Sequence, residues 1–253
     1  MRCDNLTIMR VALFVTCLVD LLRPSVGFSA IRLLEAGGCT VCVPPTQTCC
    51  GQPAFNSGDR PAARALARKT IAEFEGYDYV VAPSGACADQ LRNEYPGLFA
   101  GDRMWRARAE RLAAQVYELT DFLVSILKLS SLPGEFSGTV SYHDSCSGLR
   151  RLGIRDQPRA LLAGVSGLTL REMPASGECC GFGGSFSIRF GELSAAIAER
   201  KCVNAQIAGA DAVVGGELGC LLNIEGRLRR RGDERTRVLH VAEVLAGVDG
   251  KLD

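Results

Sequence analysis

The stretch RVALFVTC, Arg10–Cys17, is matched later in the chain by TVSYHDSC, Thr139–Cys146. Each is a short strand-like run that ends in a cysteine. Two further matches follow in the same order. TCCGQPAFNSGD, from Thr48, pairs with ECCGFGGSFSIRF, from Glu178. YDYVVAPSGAC, ending at Cys87, pairs with ADAVVGGELGC, ending at Cys220. Cys17 and Cys146 are offset by 129 residues, Cys49 and Cys179 by 130, Cys50 and Cys180 by 130, and Cys87 and Cys220 by 133. Four cysteines in one order at a nearly constant offset mark an internal duplication, and two long copies point to paired lobes instead of a solenoid.

Working outward, Val11–Thr16, Tyr79–Ala82, Thr139–His143 and Ala212–Val214 have the short apolar character of buried strands. Helical stretches lie between them. Asp59 is placed to cap a helix that starts at Pro61 and runs to about Phe74, where Gly76 stops it. A second helix starts near Ser194 and runs to Gly209. A third is predicted from Asp102 to Leu129, on the spacing of Leu112, Val116, Leu119, Leu123 and Ile126. Strands alternating with helices imply parallel pairing. The expected fold is therefore α/β: two pseudo-symmetric Rossmann-like halves with parallel sheets flanked by helices, divided as residues 1–133 and 134–253. Ser130–Gly138, with Pro133 and Gly134, reads as the linker.

Bulk properties narrow the function. With 253 residues the chain can bury a substantial core. Lys and Arg number 29 against 28 Asp and Glu, so no basic field argues for nucleic acid. The start, with Arg2 and an apolar run from Val11 to Leu22, has the outline of a signal peptide. Asp20 interrupts the run, no small-residue cleavage site follows, and the run is too short to span a bilayer. It reads better as a strand, with residues 1–8 a loose extension and Met9 an alternative start. The expected compartment is the cytoplasm, where twelve cysteines suggest metal sooner than disulfides.

Each half thus offers four thiols: Cys17, Cys49, Cys50 and Cys87, then Cys146, Cys179, Cys180 and Cys220. Because open α/β sheets gather ligands at the carboxyl ends of their strands, each set is expected to form its own cluster at a sheet edge. Four thiolates suit zinc or an iron–sulfur cluster. The vicinal pairs favour the cluster. Neighbouring side chains in extended backbone point apart, which suits a polynuclear centre better than one small tetrahedral ion. The glycines that follow, Gly51, Gly181, Gly183 and Gly184, let backbone N–H groups approach sulfur. Zinc in either half, a vicinal disulfide used in thiol exchange and inert buried thiols stay open as alternatives.

The six stretches VALFVTCLVDLLRPSVGF, TCCGQPAFNSGDR, YVVAPSGAC, YHDSCSGLR, ECCGFGGSFSIRFGELSAAIAERK and LGCLLNIEGRL together resemble the cysteine-rich CCG family. That family includes the CCG-bearing component of heterodisulfide reductase and the glycolate oxidase iron–sulfur subunit, and the likeness is nearest to its lactate-utilization branch. The resemblance implies an iron–sulfur electron-transfer subunit, with [4Fe–4S]-type clusters in one or both halves. It also implies partner subunits, iron–sulfur and other, that oxidise L-lactate, a small 2-hydroxy acid, to pyruvate. The chain departs from the heterodisulfide type at Ser84 and Glu217, where that type has a fifth cysteine. Ser147 stands where lactate-type relatives commonly have histidine.

The remaining chemistry-bearing residues have plainer readings. Cys39 and Cys42, if on a strand, face opposite sides. Cys202 reads as helix packing, and Cys3 lies in the extension. His143 and Asp144, just before Cys146, read as strand-end residues hydrogen-bonded to their neighbours, with a proton carrier or cluster ligand as the alternative. Arg60 and Arg189 read as structural or solvated, with holding an anionic substrate as the alternative, and Arg227–Arg235 reads as a solvated charged turn. GFGGS lacks the dinucleotide fingerprint.

Overall fold

The computed structural model describes residues 9–129 and 132–247. The expectations for Cys3, the extension and the Ser130–Ser131 part of the linker lie outside these residues. Among the described residues, eight strands form two four-stranded sheets. The first contains β1 (Arg10–Leu13), β2 (Thr40–Cys42), β3 (Tyr79–Ala82) and β4 (Val116–Glu118), in the order β2-β1-β3-β4. The second contains β5 (Glu135–His143), β6 (Ser166–Leu170), β7 (Ala212–Gly215) and β8 (Arg237–His240), in the order β6-β5-β7-β8. Every pairing is parallel and the two orders are the same. The α/β duplication is thereby shown.

The duplication extends to single hydrogen bonds. Arg10 N–H donates to the Asp78 carboxylate at 2.8 Å, and Thr139 N–H donates to Asp211 at 2.7 Å. These close the amino ends of the two central strand pairs in the same manner.

Burial explains why the central strands are parallel. Val11–Leu13, Val80–Ala82 and Ala212–Val214 are buried on both faces, as a sheet covered by crossover helices requires. Alternate residues serve different layers. Val11, Leu13 and Val81 join Val140, Val214 and Leu239 in one apolar cluster that runs through both halves. Ala12, Phe14 and Val80 face outward against Ala67, Ile71 and Phe74 of the Arg60–Phe74 helix. Val213 likewise meets Cys202, Leu221 and Leu228. The two sheets thus share a middle core.

The halves are related by a twofold-like exchange. The Pro24–Ala36 helix packs on Val241–Ala246, and its counterpart Asp156–Ala163 packs on Leu119–Asp121. Polar contacts reinforce the seam. Ser25 Oγ donates to Glu243 at 2.6 Å, Arg23 pairs with Glu225 at 2.8 Å, and Arg151 pairs with Asp89 at 3.2 Å.

Asp59 caps its helix through Ala62 N–H at 3.0 Å, as predicted. Three expectations are corrected. The linker does not reach Gly138, because residues 135–138 already belong to β5. The stretch Asp102–Leu129 is not one helix: Arg103–Gln115 is helical, but Val116–Glu118 is β4, bonded along β3, and a new helical segment starts at Leu119. Sheet pairing overrides the helical spacing, aided by the β-prone Val116 and Tyr117. The charged run is not simply a solvated turn either. Through Arg230 it continues the Leu218–Arg230 helix, and Arg227 and Arg231 both pair with Glu199.

Candidate metal centre

Each cysteine is placed by a strand end or a turn. Cys17 opens the Cys17–Leu22 helix directly after β1. Thr16 caps that helix with φ 72°, its hydroxyl accepting from Val19 N–H at 3.4 Å. In the second half Ser145 repeats the cap, accepting from Gly148 N–H at 3.2 Å, and Cys146 follows β5. Cys87 lies in the Gly85–Asp89 helix after β3, and Cys220 in the first turn of Leu218–Arg230 after β7. Helix N-termini favour negative charge, so these positions suit thiolates.

The vicinal pairs sit on glycine turns. Gly51 has φ 82° and Gly181 has φ 86°. A side chain at Gly181 would place Cβ 2.5 Å from the Ser194 carbonyl oxygen. The backbone N–H groups do approach sulfur: Gly51 N–H donates to Cys49 Sγ at 3.4 Å, Gly181 N–H to Cys179 Sγ at 3.3 Å, and Phe182 N–H to Cys180 Sγ at 3.4 Å. The second cysteine of each pair is anchored by its carbonyl. Tyr95 O–H donates to Cys50 O and Asn223 Nδ2 to Cys180 O, both at 2.9 Å.

Within each set the thiol hydrogen bonds converge on one sulfur. Hydrogen bonds from Cys17 and Cys50 hold the Cys49 thiol down to about 3. Those from Cys146 and Cys180 hold Cys179 down to about 2. The donors Cys17, Cys50, Cys146 and Cys180 are pushed well above the usual thiol range by the same bonds and by burial. Four thiolates so close together repel one another unless a cation replaces the protons. The donor set therefore fits a thiolate-bound metal or cluster.

Each set gathers at the carboxyl ends of its own sheet, and all eight cysteines border one cavity of about 320 Å³ between the halves, so the two four-thiol sets lie side by side instead of at remote edges. The reason is the shared middle core, which turns the carboxyl ends of both sheets toward one another. At its border a contact crosses the seam: Glu217 accepts from Ser84 O–H at 2.7 Å and from Ala86 N–H at 2.9 Å. Ser84 and Glu217 are the two positions where the sequence lacks a fifth cysteine.

The family-model description "Cysteine-rich domain" (CCG) matches residues 11–92 and again 140–225, one copy per half. The chain belongs to the cysteine-rich CCG family. Among curated relatives it is 48% identical over 237 residues to "Lactate utilization protein A" of Geobacillus kaustophilus, covering 94% of this chain and 98% of that protein. It is 44% identical to the protein of that name from Bacillus cereus strain G9842, with coverage of 94% and 98%. Among solved structures, a hypothetical protein from Helicobacter pylori has the same fold. Its TM-score is 0.66 at 13% identity, over 96% of this chain and 49% of that one. No helix among the described residues is long and apolar enough to cross a membrane.

The other sequence readings sort cleanly within this CCG-domain chain. Cys202 is fully buried, its thiol directed at the Ile224 carbonyl, and is packing. Cys39 is buried on the edge of the core while Cys42 is half-buried on β2. Neither borders the cavity. Arg60 lies over the Phe55 ring at 3.8 Å, a structural role. Asp144, beside Cys146, is locked by Arg159 in a two-pronged pair at 2.8 and 2.9 Å. Of the two readings of His143, the hydrogen-bonded one is corrected: neither ring nitrogen has a hydrogen-bond partner. Its place just before Cys146 was the signal in the chain, and the alignment of the two copies sets it against Phe14.

Proposed function

We propose that this chain is the iron–sulfur electron-transfer subunit of a cytoplasmic complex that oxidises L-lactate to pyruvate. Cys17, Cys49, Cys50 and Cys87 hold one centre, and Cys146, Cys179, Cys180 and Cys220 the other. The halves divide at residues 133/134, and further iron–sulfur and other subunits complete the complex. The observation that carries this reading is the convergence of two four-thiol sets on one cavity. The names of the relatives support lactate as the metabolic context.

Oxidising a 2-hydroxy acid to a 2-oxo acid releases two electrons and two protons. Clusters bound to these cysteines would supply one-electron storage, and two such sites side by side match a two-electron donor. The chain's own residues prepare the sites. Gly51, Gly181 and Phe182 present N–H groups to sulfur, which stabilises accumulating negative charge and raises a cluster's potential. Burial of Cys50, Cys87, Cys180 and Cys220 keeps water from the inner sulfurs.

The test is the iron, acid-labile sulfide and zinc content of anaerobically purified protein, with its visible spectrum. About four irons and four sulfides per occupied half, with broad absorption at about 400 nm, are expected. Zinc without sulfide, persisting after reconstitution with iron and sulfide, overturns the reading in favour of a zinc-stabilised scaffold. Disulfide reduction that survives complete metal removal would instead mark a thiol–disulfide oxidoreductase.

A further inference from the structure

We propose that His143 is a ligand, through a ring nitrogen, of the centre held by the C-terminal cysteines, so that the two halves hold chemically different centres. The inference rests on the reading that these cysteines hold a metal or cluster, and deepens it.

The two halves repeat each other closely in sheet order, caps, glycine turns and sulfur contacts. At the last residue of β5, immediately before the loop to Cys146, they differ. The first half has Phe14, whose ring packs against Phe74 with centroids 5.4 Å apart. It belongs to the outer apolar layer and needs no polar partner. The second half has His143, only 1% exposed. Neither Nδ1 nor Nε2 finds a hydrogen-bond partner. A buried polar group without a partner is costly, so an imidazole kept there requires something to bind.

The neighbours supply the answer. A ring nitrogen of His143 and the sulfurs of Cys180 and Cys220 all lie within 4.8 Å of one another. Donor atoms at that spacing can share one ion, since typical metal–sulfur and metal–nitrogen bonds are about 2.3 and 2.0–2.1 Å. The Ser176 carbonyl also lies near the ring, but it already accepts from Asp144 N–H at 3.3 Å and from Lys201 Nζ at 2.9 Å. The strand end that carries the histidine is held in place. Asp144 is gripped by Arg159, and that guanidinium also stacks over Tyr142 at 5.3 Å. The imidazole is thus positioned beside the sulfurs before any ion arrives.

The experiment compares full-length wild type with His143→Phe and His143→Gln, each anaerobic and fully reduced. Phe is the residue the first half uses at this position, and Gln keeps a polar side chain if Phe disturbs packing. Two readouts are taken. Pulsed EPR of the reconstituted, reduced protein reports nitrogen coupled to a centre. Titration of metal-free protein with cobalt(II) reports affinity and, through sulfur-to-cobalt charge transfer, the donor set.

Wild type is expected to show one centre with a strong imidazole nitrogen coupling and one without. Both variants lose that coupling. They bind cobalt(II) at the C-terminal half roughly tenfold more weakly or worse, while the N-terminal half binds as before. The proposal is overturned if wild type loaded with iron and sulfide shows no such nitrogen. It is equally overturned if the coupling persists in either variant, or if cobalt(II) binds both variants as it binds wild type. Failure of the iron–sulfur reading is distinguishable. Protein that takes up no iron or sulfide but shows the histidine-dependent cobalt(II) difference retains His143 as a ligand of a different metal.

Discussion

Glu118 ends β4 and sits where the two halves meet, and its titration makes stability depend on pH in a calculable way. The side chain is buried. Its Oε2 accepts from Thr120 N–H at 2.8 Å, Thr120 O–H at 2.5 Å and Asp121 N–H at 3.2 Å, while Oε1 has no partner. Burial raises its pKa from 4.5 to about 7, against the opposing effect of the Thr120 and Asp121 hydrogen bonds. The folded state therefore holds the proton more tightly than the unfolded chain does. The stabilisation is complete below the unfolded value and is lost as pH rises through the folded one. Integrated between pH 5 and pH 8, a shift of this size removes about 2 to 3 kcal/mol. Glu118→Gln keeps an oxygen for the three donors and has nothing to ionise. Urea denaturation of both proteins, metal-free and reduced, should show wild type losing about 2 to 3 kcal/mol more than the variant over that range. With an m-value near 3 kcal/mol/M, the midpoints should diverge by about 1 M. The cysteine titrations are common to both proteins and cancel in the comparison. Parallel pH profiles for the two would refute the assignment of a neutral buried carboxyl.

Three further outcomes are expected. Cys50→Ser and Cys180→Ser should each strip metal from one half and leave the other loaded, read as a halving of metal content; a single change that empties both halves would show one joint centre. Gly181→Ala should destabilise by at least about 2 kcal/mol, since φ 86° disfavours alanine and its Cβ would lie 2.5 Å from Ser194 O. Gly51→Ala should cost less, because its Cβ would meet the Leu66 side chain at 3.3 Å, and equal costs in urea denaturation would contradict the packing account. Residues 1–133 and 134–253 expressed separately should lack a cooperative thermal transition, because Val11, Leu13 and Val81 share a core with Val140, Val214 and Leu239. Two independent, sharp melting curves would show that the middle core is dispensable.

Sulfur spacing made the duplication and all eight cavity cysteines legible from the chain alone, and the alternation of strands with helices did the same for the parallel sheets. Residues that must converge on one ligand keep their intervals. Three strands were not legible, each for a local reason. Val116–Glu118 continues the helical spacing of the segment before it. Ser166–Leu170 is a half-exposed edge strand containing Gly167, and Arg237–His240 is a brief run beside a charged turn. The meeting of the two cysteine sets was hidden for a different reason. It depends on which strand faces pack together, and Val11 and Ala12 look alike in a sequence although they serve different layers. His143 was legible as a candidate from its place before Cys146, but a histidine at a strand end ordinarily finds a partner, and the folded chain reveals that this one does not.

The Ser84–Glu217 contact carries a historical consequence. The two residues occupy the same position of the repeat and touch each other, so they lie on the approximate symmetry axis. In a dimer of identical ancestral chains, whatever residue stood there would have faced its own copy. A glutamate would have met a glutamate, two like charges in a buried site, and a serine would have met a serine. A hydroxyl donor opposite a carboxylate acceptor can arise only when each copy is encoded separately. Duplication of the copy therefore came before this pair diverged, and two identical chains could no longer form the contact.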